Sequence, residues 1–219
     1  MTENQFIEQI SRAVLEGDDV SAAEIARAAL NACVNPLLIL NQGLMASAEE
    51  AGKRFEQGEY YLPELMLTGR ALKAAMEVIK PALLEQYSGD TNRAMGKILI
   101  ATIQTDIHDL GKNMVASMLM ASGFDVTDMG VDVPLKSIID KAEEIGADII
   151  ALSALLTTSM PYMKDLIEIL KARNLRQKYI VIVGGASVTK EWASSIGADG
   201  TAGNAIDAIK LVRSLLGAR

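Results

Sequence analysis

The fold this sequence predicts is an N-terminal four-helix bundle joined to an α/β unit with a five-stranded parallel sheet. Three observations predict it. Residues up to about 80 place apolar side chains at helical spacing and carry almost no strand pattern. The stretch Gln86-Tyr87-Ser88-Gly89-Asp90-Thr91 then interrupts that pattern with the composition of a linker. Beyond it, short apolar runs alternate with helical stretches, an order that buries parallel strands between helices.

In chain order, Phe6, Ile10, Ala13, Val14 and Leu15 mark a first helix that breaks at Gly17-Asp18-Asp19. A second covers 22–33 with Ser21 as its N-cap, and places Cys33 as a packed thiol inside the helix. Pro36 opens a third, which passes Leu40, Leu44 and Ala48 to about Phe55, and Pro63 opens a fourth that runs to about Ile79. Four short antiparallel helices make a bundle. The linker is expected at 81–93, which divides the chain into 1–88 and 89–219. Strands are expected at 98–103, 124–129, 148–152 and 179–183, with helices following near 112–122, 134–146, 160–172 and 189–196. A short fifth strand at Gly200-Thr201 leads into a last helix at 204–215, completing a Rossmann-like, flavodoxin-like sheet.

Composition narrows the function. The chain has 219 residues, half of them apolar, which is enough to bury one large or two small cores. A net charge of −7 speaks against polyanionic partners such as nucleic acid. A single cysteine forms no internal disulfide and fits a reducing cytoplasm. No apolar stretch approaches the ~18 residues of a membrane span. Met1-Thr2-Glu3-Asn4-Gln5 lacks the pattern of a signal peptide, so a soluble, cytoplasmic protein with no membrane partner is expected.

In open parallel sheets, ligands bind beyond the carboxyl ends of the strands. The loop after the first strand reads Thr105-Asp106-Ile107-His108-Asp109-Leu110-Gly111-Lys112 and holds the only histidine. The third strand ends in Ser153-Ala154-Leu155-Leu156-Thr157-Thr158-Ser159, and the fourth in Gly184-Gly185-Ala186-Ser187. A neutral imidazole is a good transition-metal ligand, and a carboxylate that accepts its other N–H fixes the tautomer. Asp106 and Asp109 are both near enough to supply that carboxylate, and spacing does not choose between them. The hydroxyls of Ser153, Thr157, Thr158 and Ser159 are donors for the carboxylate or for a polar cofactor, and Gly184-Gly185 suits close approach of backbone to a bulky ligand. Singly, these are ordinary loop, cap and turn features. Their joint placement at three strand ends points to one site.

Asp-x-His-x-x-Gly at 106–111, Ser-x-Leu at 153–155 and Gly-Gly at 184–185 together resemble the cobalamin-binding signature of corrinoid-dependent methyltransferases and mutases. The helical half is similar to the cap module that precedes the cobalamin domain of methionine synthase and of corrinoid carrier proteins. Lys53-Arg54-Phe55-Glu56-Gln57-Gly58-Glu59-Tyr60-Tyr61-Leu62-Pro63-Glu64-Leu65 is its most recognisable stretch. Mutases typically lack the cap, so the resemblance favours a methyl carrier. It implies His108 as the lower ligand of cobalt, Asp106 as acceptor of its other N–H, and Ser159 as the third member of a His-Asp-Ser relay. Asp109 joins the cofactor-binding loop, and Ser153, Leu155, Thr157, Gly184 and Gly185 lie along the cofactor's buried tail. Gly111 makes room where that tail enters, and Phe55 and Leu62 cover the methyl face. One departure is Thr105, where the family often has glycine.

By the same resemblance, the bond from His108 to cobalt holds in the methylated state and weakens when the methyl leaves, with the cap moving on a hinge at 81–93. The chain shows no methyl-donor site of its own, so it is expected to be a carrier subunit rather than a complete enzyme. One methyltransferase would load it from a methylamine, methanol, a betaine or a methoxyaromatic compound. A second would pass the methyl to tetrahydrofolate or a thiol, and a reductive activase would rescue oxidised cobalt, as in anaerobic one-carbon metabolism. Two rival readings are a cobalamin-dependent sensor and a flavodoxin-like signalling domain with Asp106 or Asp109 as phosphoacceptor. The first lacks a basic recognition helix, and the second leaves His108 and the Gly-Gly spacing unexplained.

Overall fold

A computed structural model describes residues 1–87 and 95–217, which group into two compact units, Met1–Gln86 and Tyr87–Arg219. In the first unit, α1 (Glu3–Leu15) opens with a capping box between Thr2 and Gln5 and buries Phe6, Ile7, Ile10, Ala13 and Val14. Gly17, at φ 72, ends its run. The next helix, α2 (Asp19–Asn31), is capped by Asp18 and not by Ser21: the Asp18 carboxylate accepts the Ser21 N–H at 2.9 Å. Cys33 also departs from expectation. The helix stops before it, and the residue takes a left-handed conformation (φ 59) that turns the chain and leaves the thiol exposed.

The third helical stretch is continuous but not uniform. α3 (Pro36–Leu38) passes into a π-helical segment (Ile39–Met45) and then α4 (Ala46–Glu56). α5 (Leu62–Tyr87) outruns its expected end at 79: Pro81 sits inside it and lacks the N–H that would bond the carbonyl of Glu77, a residue on the exposed face. Ala71, Leu72, Ala75, Met76, Ile79 and Leu83 form its buried stripe. Of the linker expected at 81–93, residues 81–87 are therefore helical, and 88–93 lie outside the described residues.

The second unit alternates β1 (Lys97–Thr102), α6 (Leu110–Ala121), β2 (Asp125–Asp128), α7 (Leu135–Ile145), β3 (Ile149–Ser153), α8 (Met160–Ala172), β4 (Ile180–Gly184), α9 (Lys190–Ser195), β5 (Gly200–Thr201) and α10 (Ala205–Gly217). The strands are all parallel and lie in the order β2-β1-β3-β4-β5. Leu99, Ala101, Ile150, Leu152, Val181 and Val183 pack on one face against Ile138, Ile139 and Ala142 of α7 and Met163, Leu166, Ile167 and Leu170 of α8. The intervening Ile98, Ile100, Ile149, Ala151, Ile180 and Ile182 are also buried, because helices cover the opposite face. Among the described residues, no helix is long and apolar enough to cross a membrane.

Candidate functional site

The strand order reverses direction between β1 and β3, and in such sheets the ligand crevice opens at that reversal. The β1–α6 loop and the β3–α8 turn meet there. Asp106, with no exposed surface, is the joint between them. Its Oδ1 accepts the backbone N–H of His108 at 3.0 Å and stands 2.7 Å from the His108 ring Nδ1, while its Oδ2 accepts the N–H groups of Leu155 at 2.7 Å and Leu156 at 3.0 Å. Burial alone would push this carboxyl up. The N–H groups of Leu156, His108 and Leu155 and the His108 ring outweigh it and hold Asp106 below the ordinary carboxylate value.

An ionised Asp106 is an acceptor only, so the proton it faces on His108 sits on Nδ1, which in the neutral tautomer leaves the lone pair on Nε2. The His108 side chain is 47% exposed. Among the described residues no hydrogen bond to Nε2 is formed, and no group of three or more His, Cys, Asp or Glu side chains gathers to cage an ion. A single outward imidazole nitrogen suits a metal whose other positions are already filled by a macrocycle. Around it Ile107 is 72% exposed, and Leu155 and Leu156 are 40% exposed, an apolar surface open to a large planar ligand.

The geometry places the remaining expected residues differently from one another. Asp109 turns away to its own helix, accepting the Asn113 side-chain N–H at 2.9 Å, so Asp106 alone is the carboxylate on His108. Ser159 is fully buried at the start of α8, but its hydroxyl neither caps that helix nor reaches Asp106. It pairs at 3.0 Å with the hydroxyl of Thr105. The expected direct His-Asp-Ser relay is therefore replaced by a His-Asp pair and a separate Thr-Ser pair, because Leu155 and Leu156 already take Oδ2 of Asp106. Thr105 has φ 69, the left-handed conformation that a glycine adopts freely.

Ser153 and Gly184 pair across β3 and β4 at the same sheet edge, and Thr157 is exposed on the turn beyond. A Cβ on Gly111 would meet open space. Gly185 serves the protein's own backbone: at φ 125, an added Cβ would stand 1.8 Å from the Ala154 carbonyl oxygen. Gly185→Ala is expected to cost about 2–3 kcal/mol of stability, read as a lowered urea midpoint. Phe55 and Leu62 are 45% and 63% exposed and form no part of a helical core.

Sequence reasoning passed over Lys112. Its side chain is 1% exposed and pairs with Asp128 at 2.5 Å, tying the first turn of α6 to the end of β2. A lysine amid the apolar residues of 110–121 was the available signal.

Known proteins resemble this chain along its length. A B12 binding domain family matches residues 96–210, and a second family described in the same words matches 6–80. Trimethylamine corrinoid protein 1 of Methanosarcina mazei is 42% identical over 212 residues, covering 97% of each chain. The solved structure of the Methanosarcina barkeri monomethylamine corrinoid protein matches with a TM-score of 0.90 at 33% identity, covering 98% of this chain and 100% of that one. A methanol:cobalamin methyltransferase complex from Methanosarcina barkeri contains a chain that matches at 25% identity and a TM-score of 0.55, covering all of this chain and 82% of that one. The outward imidazole, its buried carboxylate and this end-to-end likeness agree, and the chain belongs to the B12-binding corrinoid proteins of methyltransferase systems, with a cobalamin-type corrinoid as its cofactor.

Proposed function

We propose that this chain carries a methyl group from a methylamine:corrinoid methyltransferase to a second methyltransferase acting on a thiol or on tetrahydrofolate, with His108 as the lower ligand of cobalt. The observation that carries the reading is the buried Asp106, which faces His108 Nδ1 at 2.7 Å and so leaves Nε2 as the ring nitrogen available to a ligand bond. When bound, the corrinoid supplies the methyl–cobalt bond chemistry. The protein's part is to hold the imidazole at one angle, keep its proton on Nδ1 through Asp106, and exclude water with Ile107, Leu155 and Leu156.

In this reading Ser153, Leu155, Thr157, Gly184 and Gly185 line the cofactor tail, with Asp109 and Gly111 where the tail enters. The helical region 1–88 acts as the cap over the cobalamin domain at 89–219, with Phe55 and Leu62 against the methyl face. Their exposure supports that role, since a residue meant to cover a ligand is bare without it. Phe55→Ala and Leu62→Ala are accordingly expected to change stability by no more than about 0.5 kcal/mol in the cofactor-free chain, checked by urea denaturation. The likeness to trimethylamine and dimethylamine corrinoid proteins favours a methylamine over methanol, betaine or methoxyaromatic donors. A reductive activase is the expected third partner.

The test is to reduce the cobalamin-loaded chain and mix it with methylamine, dimethylamine, trimethylamine or methanol, each with its methyltransferase, while following the visible spectrum of cobalt. Methylation by at least one amine system is expected. Methylation by the methanol system alone, or by none of the four, contradicts the proposed donor.

A further inference from the structure

The loop that bears Asp106 and His108 is gripped from two sides by groups outside the His108–Asp106 pair. On one side, Asp132 closes on the Thr105-Asp106 dipeptide: its Oδ1 accepts the Thr105 N–H at 2.7 Å, and its own N–H donates to the Asp106 carbonyl at 2.9 Å. On the other, the Thr105 hydroxyl pairs at 3.0 Å with Ser159, which has no exposed surface. Thr105 (φ 69) and Asp132 (φ 51) both hold left-handed backbone, and for a β-branched residue that conformation is costly. Glycine would hold it without strain but would bring no hydroxyl.

We propose that Thr105, anchored by Asp132, is a positioning residue for the axial histidine, its hydroxyl locking the His108 loop to the β3–α8 turn through Ser159. That turn also supplies the Leu155 and Leu156 N–H groups that orient Asp106, so the Thr105–Ser159 bond keeps carboxylate and donors in register. Shifting the turn weakens the hold on Asp106 and, through it, on the imidazole. The inference rests on His108 being the cobalt ligand.

The test loads the whole chain with methylcobalamin, removes free cofactor, and reads from the visible spectrum the ratio of histidine-on to histidine-off forms at one fixed pH. T105V, which keeps the shape and backbone demand but loses the hydroxyl, is expected to lower that ratio roughly three- to tenfold. Ser159→Ala removes the same bond from its other end and is expected to match it. The double variant should add little, and T105S should restore the parent ratio. If T105V does not fold, Ser159→Ala against T105S carries the comparison. Parent-like spectra for both T105V and Ser159→Ala overturn the proposal, as does a shift with Ser159→Ala that T105V does not share. A parent chain that retains cobalamin with no histidine-on form, or that retains none, overturns the ligand reading itself.

Discussion

Replacing His108 by alanine is expected to convert the methylcobalamin-loaded chain completely to the spectrum of a cofactor with no nitrogen ligand below cobalt. The expectation follows from the donor count, since His108 is the only histidine in the chain. No second imidazole can substitute, and Asp106 is fully buried behind the first. Binding itself should survive, because the tail contacts proposed at Ser153, Thr157 and Gly184 do not involve the ring. A colour change without loss of colour is thus the predicted result, and an unchanged spectrum would exclude His108 as ligand.

The second large effect belongs to Asp106. Asp106→Ala strands three backbone N–H groups, from His108, Leu155 and Leu156, together with the ring N–H. A loss of about 3–5 kcal/mol is expected in the cofactor-free chain, measured by urea denaturation. Asp106→Asn separates structure from tautomer. Its amide oxygen can still serve Leu155 and Leu156, but its NH2 group then faces His108 Nδ1 as a donor and drives the ring proton to Nε2, the ligand atom. Cofactor retention with much reduced histidine-on character is the expected outcome. The pH dependence has a definite sign. Because the folded protein holds the Asp106 carboxyl below its ordinary value, its contribution to stability is in place above that ordinary value and disappears as pH falls through the lowered one. The urea midpoint of the parent chain should therefore fall more steeply in acid than that of Asp106→Asn, which keeps the other lowered carboxylates but not this one.

The helices and strands were legible because their buried stripes repeat at the spacing of each element, as with Ile10 and Val14 in α1 and the run 98–103 at β1. The π-helical turn at Ile39–Met45 was not, since its apolar residues Leu40 and Leu44 fit an ordinary helix equally well. At the site, the local pair was the readable part: an aspartate two residues before a histidine can reach back to its ring; spacing left Asp106 and Asp109 open, the family resemblance favoured Asp106, and the geometry agrees. The partner of Ser159 depends on a bond between distant loops, made by a Thr105 held in a left-handed position. A hydroxyl count cannot see backbone handedness. The ion pair of Lys112 with Asp128 escaped for a similar reason, as the register of β2 against β1 decides which acid meets the lysine.

The most direct test of the central claim is the visible spectrum of the purified chain after anaerobic reconstitution with methylcobalamin and desalting, read beside His108→Ala. Stoichiometric retention of cobalamin, with a histidine-on spectrum in the parent and a histidine-off spectrum in the variant, is the predicted result. A colourless parent protein after desalting, or identical spectra for the two, would contradict it.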